Sequence, residues 1–417
     1  ISLLSKNFSE EDKSYDLVGL ELAKHLTNAK LLDSANYFLS ISESHEKSKV
    51  AEEMASQRLL LDAEIEKYKI EVLSGWKEFD NAKFAIANEH FSTALSFDVG
   101  NYEAYLGKAE ILFNEGSNVE SINGLKESLT KFYPNNNEKA HVYEHLAEVN
   151  LTQRNTLAVI NACETGMELA PDNHLLYFYK GKAMYFERRF LDADNLLANY
   201  LRFEPENAEA WYLRGECFYS LNNYEKAITN FNKSIAIDST NTDAFSSRGR
   251  SYFELKKYDL AIADFDYLNQ IFPGNFYAIN AQGVCEYYAG DYPSAVSHFE
   301  KACALNPSEY YKFNLVNAYT KNGQNDKAIE ICNELGEKNR GGVKYNIIHC
   351  QVLVNKKDFS AAEKWLDESM KLNPYVLEYL QLGEIIYKET GKVGKSKNSK
   401  SFISNFNDYP RNMDLMF

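Results

Sequence analysis

The amino-acid sequence predicts an all-α protein built as a solenoid of stacked helix pairs. Two observations lead to this prediction. Residues of four kinds recur every 34 positions in the middle of the chain, and apolar residues recur at helical spacing within each period. Because one helix pair of this length cannot bury its apolar face alone, several pairs must stack and share a continuous core.

The 34-residue spacing is carried by glycine, alanine, an aromatic or leucine position, and proline. The glycines are Gly181, Gly215, Gly249 and Gly283, and the alanines are Ala193, Ala227, Ala261 and Ala295. The third series is Leu197, Phe231, Phe265 and Phe299. Prolines occupy the same frame at 171, 205, 273, 307 and 374, with one residue lost between the last two. Such agreement between four series indicates a true repeat.

Each period is predicted to contain two helices joined by a turn. Residues 211–221 and 224–237 carry apolar residues at helical spacing, and Asn222 and Asn223 between them favour a turn. Gly215 lies inside the first helix, where glycine costs about 1 kcal/mol relative to alanine. We expect it to allow close approach of Ala227 in the second helix. The proline after the second helix ends that helix, because it has no N–H to donate.

This pattern resembles the tetratricopeptide repeat, whose signature is W-x2-L-G-x2-Y followed by A, F, A and P. The copy at 208–241 matches best, and those at 174–207, 242–275 and 276–308 keep its register. Weaker copies lie at 68–101, 140–173, 309–342 and 343–375, and the copy at 102–139 is expected to be lengthened in its turn. The resemblance implies a right-handed α-solenoid of helix-turn-helix repeats.

Three regions follow from the positions of these copies. Residues 1–67 are predicted to form an irregular N-terminal helical cap, and residues 68–387 an array of about nine copies plus a final helix without a usual second partner. Residues 388–417 hold six Lys or Arg and three Asp or Glu, among Gly, Ser and Asn. That composition predicts a basic linker and a C-terminal tail.

Composition excludes several classes of protein. Of 417 residues, 45 are Lys or Arg and 60 are Asp or Glu, a net charge of −15 that argues against nucleic-acid binding. No apolar run approaches the roughly 20 residues of a membrane-spanning helix. The six cysteines form no C-x-x-C pair and lie in predicted helices, where a thiol packs as a small apolar group. We therefore expect a cytoplasmic location, with a periplasmic one as the alternative.

His141-Val-Tyr-Glu144-His145 spells H-x-x-E-H, in which two histidines one helical turn apart hold zinc beside a catalytic glutamate. The motif lies at positions that other copies fill with unrelated residues. We expect a solvated helix face here and predict no metal site.

Gly394-Lys395-Ser396 matches the end of a phosphate-binding loop. The first glycine of that loop is replaced by Glu389, whose carboxylate repels phosphate, and no apolar strand precedes it. We predict no nucleotide, no other cofactor and no catalytic residue.

The resemblance implies that the first helices line a concave face, where positions 2, 5, 9, 12 and 13 of each copy contact ligands. At several of these positions the side chains are aromatic, and aromatic rings bury a large area at low entropic cost. The alternative is that the rings at position 12 only support the next repeat. The predicted contact residues are Phe178, Lys182, Tyr185, Phe186, Tyr212, Glu216, Tyr219, Arg250, Phe253, Tyr287 and Tyr288.

Some members of the family grip the C-terminal carboxylate of chaperones with a clamp of Asn, Lys and Arg. Lys182 and Leu213 stand where the clamp requires asparagines, and Arg250 alone fits. Asn314 fits in a later copy, but Val284 replaces its partner asparagine. We therefore predict that the chain is not a chaperone-clamp protein of this type.

The resulting prediction is a non-catalytic scaffold or adaptor that binds a protein or peptide segment along its concave face. Two alternative hypotheses remain. In the first, the chain is a regulatory or sensor part of a larger enzyme or signalling protein whose other part precedes Ile1. In the second, it is a periplasmic assembly factor of the cell envelope.

Overall fold

The structure, a computed structural model, describes residues 15–28, 30–43, 51–131, 135–339, 342–373 and 376–403. All the regular secondary structure in these ranges is helical. Pro134, Pro374 and the predicted tail at 404–417 lie outside the described residues.

The helices divide into two compact units, residues 1–221 and residues 222–417, which we describe separately. The helices of unit 1 are α1 (Tyr15–Asn28), α2 (Leu32–Glu43), α3 (Ala51–Asp80), α4 (Phe84–Phe97), α5 (Tyr102–Asn114), α6 (Asn118–Ser128), α7 (Asn136–Thr152), α8 (Thr156–Leu169), α9 (His174–Phe186), α10 (Phe190–Tyr200) and α11 (Ala208–Ser220). The helices of unit 2 are α12 (Tyr224–Ile237), α13 (Thr242–Glu254), α14 (Tyr258–Ile271), α15 (Phe276–Ala289), α16 (Tyr292–Leu305), α17 (Glu309–Lys321), α18 (Asn325–Asn339), α19 (Val343–Asn355), α20 (Phe359–Leu372), α21 (Leu377–Glu389) and α22 (Val393–Ile403).

Helices that follow one another in the chain pack against one another within each unit. Odd-numbered helices also contact the next odd-numbered helix, from α1 through α11 in unit 1 and from α15 through α21 in unit 2. This is the α-solenoid that the repeats predict. We call the side formed by the odd-numbered helices the inner face of each unit.

Two backbone features recur with the repeat. The turn inside each pair holds one residue with positive φ, and these residues are Lys30, Ala82, Gly116, Arg154, Arg188, Asn222, Lys256, Gly290, Gly323, Lys357 and Gly391. An asparagine before an odd-numbered helix accepts a hydrogen bond from a backbone N–H of the first turn. These caps are Asn101, Asn135, Asn173, Asn207, Asn241 and Asn275. Local sequence therefore sets both ends of the first helix in these copies.

The repeated glycines make room for a ring or a leucine of the paired helix. A Cβ at Gly249 would lie 3.0 Å from Phe265, and one at Gly283 would lie 2.8 Å from Phe299. Both phenylalanines are fully buried. In these pairs the atoms nearest to the glycine belong to the aromatic position of the second helix. The expected approach of Ala227 to Gly215 stays a prediction. A ring reaches further across the interface than a methyl group does.

The structure corrects three details of the predicted organisation. The boundary between residues 67 and 68 falls inside α3, which runs unbroken from Ala51 to Asp80. The extra residues of the copy at 102–139 do not lengthen the turn. Instead α7 has 17 residues where α5 and α9 have 13, a difference of one helical turn.

The third correction concerns the predicted linker from residue 388, because residues 393–403 form α22. This helix packs against α21, which therefore has a second helix as partner. Lys392 pairs with Glu363, and Lys395 Nζ lies 2.9 Å from an oxygen of Asp367. The lysines that suggest a linker by composition bind the acidic side of α20.

Candidate functional site

A cleft of about 450 Å³ lies on the inner face of unit 2. It is lined by the odd-numbered helices α15, α17, α19 and α21. The side chains at the cleft are Tyr287, Asn317, Thr320, Lys321, Lys344, Ile347, Ile348, Gln351, Asn355, Glu378, Gln381, Leu382 and Ile385. The repeat builds this lining, since equivalent positions of successive helices open onto the same cleft.

Amide side chains supply much of the polar lining. Asn317 and Gln351 are 34 residues apart, so the packing of α17 on α19 brings them to the same register. Asn355 and Gln381 add two further amides from α19 and α21. Each amide offers both a donor and an acceptor, which is the pairing that a peptide group requires. Ile347 and Ile385 provide apolar surface beside them.

The charge in the cleft is positive on balance. Lys321 and Lys344 line it together with a single carboxylate, that of Glu378. Lys344 Nζ lies 5.5 Å from the ring centroid of Phe313, and burial lowers the pKa of this lysine. Among the described residues no carboxylate forms an ion pair with Lys344. This partly buried ammonium group favours an anionic guest.

The residues predicted on α9 lie at the inner face of unit 1, with different exposure. Phe178 is buried, and its ring centroid lies 4.8 Å from that of Tyr200. Lys182 Nζ lies 5.0 Å from the Phe178 ring centroid and 2.6 Å from Glu209 Oε1. Phe178 therefore packs within the unit, and Lys182 joins α9 to α11.

Tyr185 and Glu216 connect the same two helices. The Tyr185 hydroxyl donates to Glu216 Oε2 at 3.4 Å, and its ring centroid lies 6.1 Å from that of Phe190. Glu216 is buried, and its Oε1 has no hydrogen-bond partner among the residues that the structure describes. Phe186 is 45% exposed, whereas Tyr212 and Tyr219 are half-buried.

The predicted residues of unit 2 form an aromatic group on α13 and α15. The ring centroids of Phe253 and Tyr288 lie 5.3 Å apart, and those of Tyr287 and Tyr288 lie 5.5 Å apart. Arg250 is partly exposed on α13. Of the predicted contact residues, Tyr287 lines the cleft.

The H-x-x-E-H segment lies on α7, and its two histidines have different surroundings. His141 is exposed, with Nδ1 3.5 Å from Glu144 Oε2. The side chain of His145 is 24% exposed, and its Nδ1 lies 2.7 Å from Glu110 Oε1 on α5. The predicted solvated face is wrong for His145, because packing of α5 on α7 covers it. Burial by itself lowers the pKa of His145, but the surrounding carboxylates of Glu110, Glu144 and Glu148 together outweigh burial and raise it. Burial raises the pKa of Glu148.

The cysteines are free thiols, and all except the partly buried Cys303 are buried. Burial raises the pKa of Cys163, Cys217, Cys285, Cys332 and Cys350 to about 12. These thiols are therefore protonated near neutral pH and unreactive as nucleophiles.

The amide cleft was not among the predicted sites. The predicted contact residues lie in the four copies in strict register at 174–308, whereas most lining residues lie in the weaker copies that follow. The signal was present, because Asn317, Gln351 and Ile385 lie 34 residues apart at one inner position. What the sequence did not show is that the side chains between them leave an open space.

Comparison with known families gives two matches, both to tetratricopeptide repeat profiles. One covers residues 208–241 and the other residues 280–341. The first is the copy in which the signature is most complete. The chain therefore contains tetratricopeptide repeats. Tetratricopeptide repeats are generally non-catalytic and form protein-interaction scaffolds that bind protein or peptide partners.

No curated protein sequence matches the chain. Among solved structures, the C-terminal part of a tetratricopeptide repeat protein from Cytophaga hutchinsonii is 16% identical, with a TM-score of 0.49, over 57% of this chain and 98% of that one. A tetratricopeptide repeat protein from Parabacteroides merdae is 16% identical, with a TM-score of 0.44, over 58% and 98%. MamA from Desulfovibrio magneticus RS-1 is 21% identical, with a TM-score of 0.39, over 41% and 98%.

Among the described residues, no helix combines the length and the apolar character needed to cross a bilayer.

Proposed function

We propose that this tetratricopeptide repeat protein is a non-catalytic scaffold that binds an extended segment of a partner protein in the cleft of unit 2. The observation that carries the proposal is the set of amides along that cleft, from Asn317 through Gln351 and Asn355 to Gln381. An extended peptide has unpaired N–H and C=O groups along its length, and amide side chains on a rigid helical array pair with both.

The chemistry of the cleft also selects the side chains of the bound segment. Lys321 and Lys344 attract a carboxylate, while Ile347 and Ile385 offer surface to an apolar side chain. The proposed ligand is therefore an extended peptide that combines Asp or Glu with an aliphatic or aromatic residue. The ligand's negative charge has the same sign as the net charge of −15 on the chain. The electrostatic attraction therefore comes locally, from the two lysines of the cleft.

A displayed library of random peptides, selected on the full chain, tests the proposal. Enriched peptides are then measured by fluorescence anisotropy against the wild type and against the double variant Gln351→Ala with Asn355→Ala. We expect acidic residues to be enriched and the double variant to bind at least about tenfold more weakly, since each lost hydrogen bond contributes roughly 1 kcal/mol.

The matched control is Asn333→Ala, which removes an exposed amide on the outer helix α18. Its affinity is expected to equal that of the wild type. Peptides that bind the double variant as tightly as the wild type, with both proteins folded by circular dichroism, would contradict the assignment of the cleft.

A further inference from the structure

Three metal-ligating side chains converge on the inner face of unit 1, outside the cleft that carries the proposed function. Glu110 on α5 and His145 and Glu148 on α7 each present one ligand atom, and the three atoms lie within 4.8 Å of one another. His145 Nδ1 is 2.7 Å from Glu110 Oε1 and 3.7 Å from Glu148 Oε2. This distance range allows one ion to bind all three atoms after small side-chain movements.

The ligand set differs from the one that the H-x-x-E-H motif implies. His141 lies outside the group and contacts Glu144 instead. The neighbouring helix α5 supplies Glu110. This residue lies 35 positions before His145, and no local sequence motif links the two. Because α5 packs on α7, the carboxylate of Glu110 takes the place that the motif would give to His141.

The electrostatics of the group favour a bound cation. Glu110, Glu144 and Glu148 surround one imidazole, and their side chains are 18%, 10% and 37% exposed. Within the described parts of the chain, none of the three carboxylates has a Lys or Arg ion-pair partner. Partly buried carboxylates in excess over cations repel one another, and a divalent ion removes that repulsion.

Neighbouring side chains hold the carboxylates in place, as the outer shell of a metal site does. Burial raises the pKa of the Glu148 carboxyl, and the neighbouring Tyr179 side chain on α9 acts in the opposite direction. Asn173 Nδ2, next to the same helix, donates to Glu144 Oε2 at 2.8 Å. The partial exposure of Glu148 leaves space for water to complete the coordination.

We propose that Glu110, His145 and Glu148 bind one divalent transition-metal ion, with Zn²⁺ as the best match. Zn²⁺ accepts imidazole nitrogen and carboxylate oxygen at about 2.0–2.2 Å in tetrahedral geometry, and water fills a fourth position beside three protein ligands. The ion joins α5 to α7 and thereby stabilises the stacking of two neighbouring repeats in unit 1.

Calorimetric titration of the metal-free full chain with Zn²⁺ near neutral pH tests the proposal, and Co²⁺ supplies a visible absorption spectrum at the same site. We expect one ion per chain and a higher melting temperature when it is bound. His145→Gln and Glu110→Gln are each expected to weaken binding by about 100-fold or more, since each removes a direct ligand.

His141→Gln is the matched control, because it changes the exposed histidine of the same helix and should retain full affinity. Glu110→Gln keeps the size of the side chain, so it separates metal binding from folding if His145→Gln is unstable. The proposal is overturned if the wild type binds no stoichiometric ion, or if binding survives both ligand variants.

Discussion

The ring of Phe265 lies where a side chain at position 249 would begin, with its Cζ 3.0 Å from the place of a Cβ on Gly249. Glycine at 249 is therefore a packing requirement, since α13 and α14 approach through this contact. The same relationship recurs one period later between Gly283 and Phe299.

Gly249→Leu is expected to destabilise the protein by about 1–3 kcal/mol, because the added side chain forces α13 and α14 apart. Each repeat contacts mainly its neighbours, so the loss of amide-exchange protection should begin within 242–275. Hydrogen exchange followed by mass spectrometry measures it. Gly124→Ala is the control: a Cβ there meets no atom within 4 Å, and the change should stabilise α6 by up to about 1 kcal/mol. A uniform loss of protection along the chain would contradict the repeat-by-repeat picture.

Arg248 and Asp264 form a doubly hydrogen-bonded ion pair between α13 and α14, at 2.6 and 2.9 Å. The Asp264 side chain is 6% exposed. Arg248→Met should cost about 3–5 kcal/mol, because it leaves a buried carboxylate without its cation. Adding Asp264→Asn should recover part of that loss, which a urea-denaturation double-mutant cycle measures.

The control for this pair is Arg189→Met, which breaks the exposed pair with Asp192. Its cost should stay below about 1 kcal/mol, because solvent screens exposed ion pairs. Equal costs for the two arginine variants would show that burial of Asp264 does not matter.

His349 should make the stability of unit 2 depend on pH. Its ring stacks on Trp365 with centroids 4.1 Å apart, Nδ1 lies 3.0 Å from the Tyr345 hydroxyl, and burial lowers its pKa to about 4. In the unfolded chain the imidazole of His349 has the ordinary histidine pKa of about 6.5. The contribution of neutral His349 to stability is therefore fully present above about pH 6.5. It is lost as the pH decreases towards 4, by about 3 kcal/mol.

Thermal melts of the wild type and of His349→Phe across this pH range measure the effect. The variant should lose this part of the pH dependence, whereas His141→Gln, which changes an exposed histidine, should keep it. The idea fails if both variants follow the pH profile of the wild type.

Tyr185 and Tyr219 test whether the aromatic residues of unit 1 support the fold or contact a partner. Because the Tyr185 ring packs near Phe190 and its hydroxyl bonds Glu216, Tyr185→Ala combined with Tyr219→Ala should lower stability by several kcal/mol. Affinity of the folded fraction for peptides that bind the unit 2 cleft should not change. Melting temperature and anisotropy are measured on the same variant. A stable variant with weakened binding would instead support the contact role predicted from the sequence.

Interactions between residues close in the chain are predictable from this sequence, and those between helices distant in the chain are not. The helix pairs, their register and their turns were predictable, because a 34-residue spacing of glycine, proline and apolar residues reports interactions between residues close in the chain. The asparagine caps before the odd-numbered helices are likewise local interactions, because each cap bonds a backbone N–H two or three residues further along the chain.

Tertiary structure alone decided the neighbours across helices. The nearest atoms to a Cβ at Gly249 belong to the ring of Phe265, because a ring reaches further across the interface than a methyl group does. Glu110 meets His145, because α5 packs on α7, and the lysines before and within α22 find their partners on α20. The cleft among α15, α17, α19 and α21 is likewise a gap between side chains from four helices. The sequence by itself determined which positions form each helix and which face inwards. The packing of helices distant in the chain decides which of these positions surround an open cleft. A repeat pattern does not encode that packing.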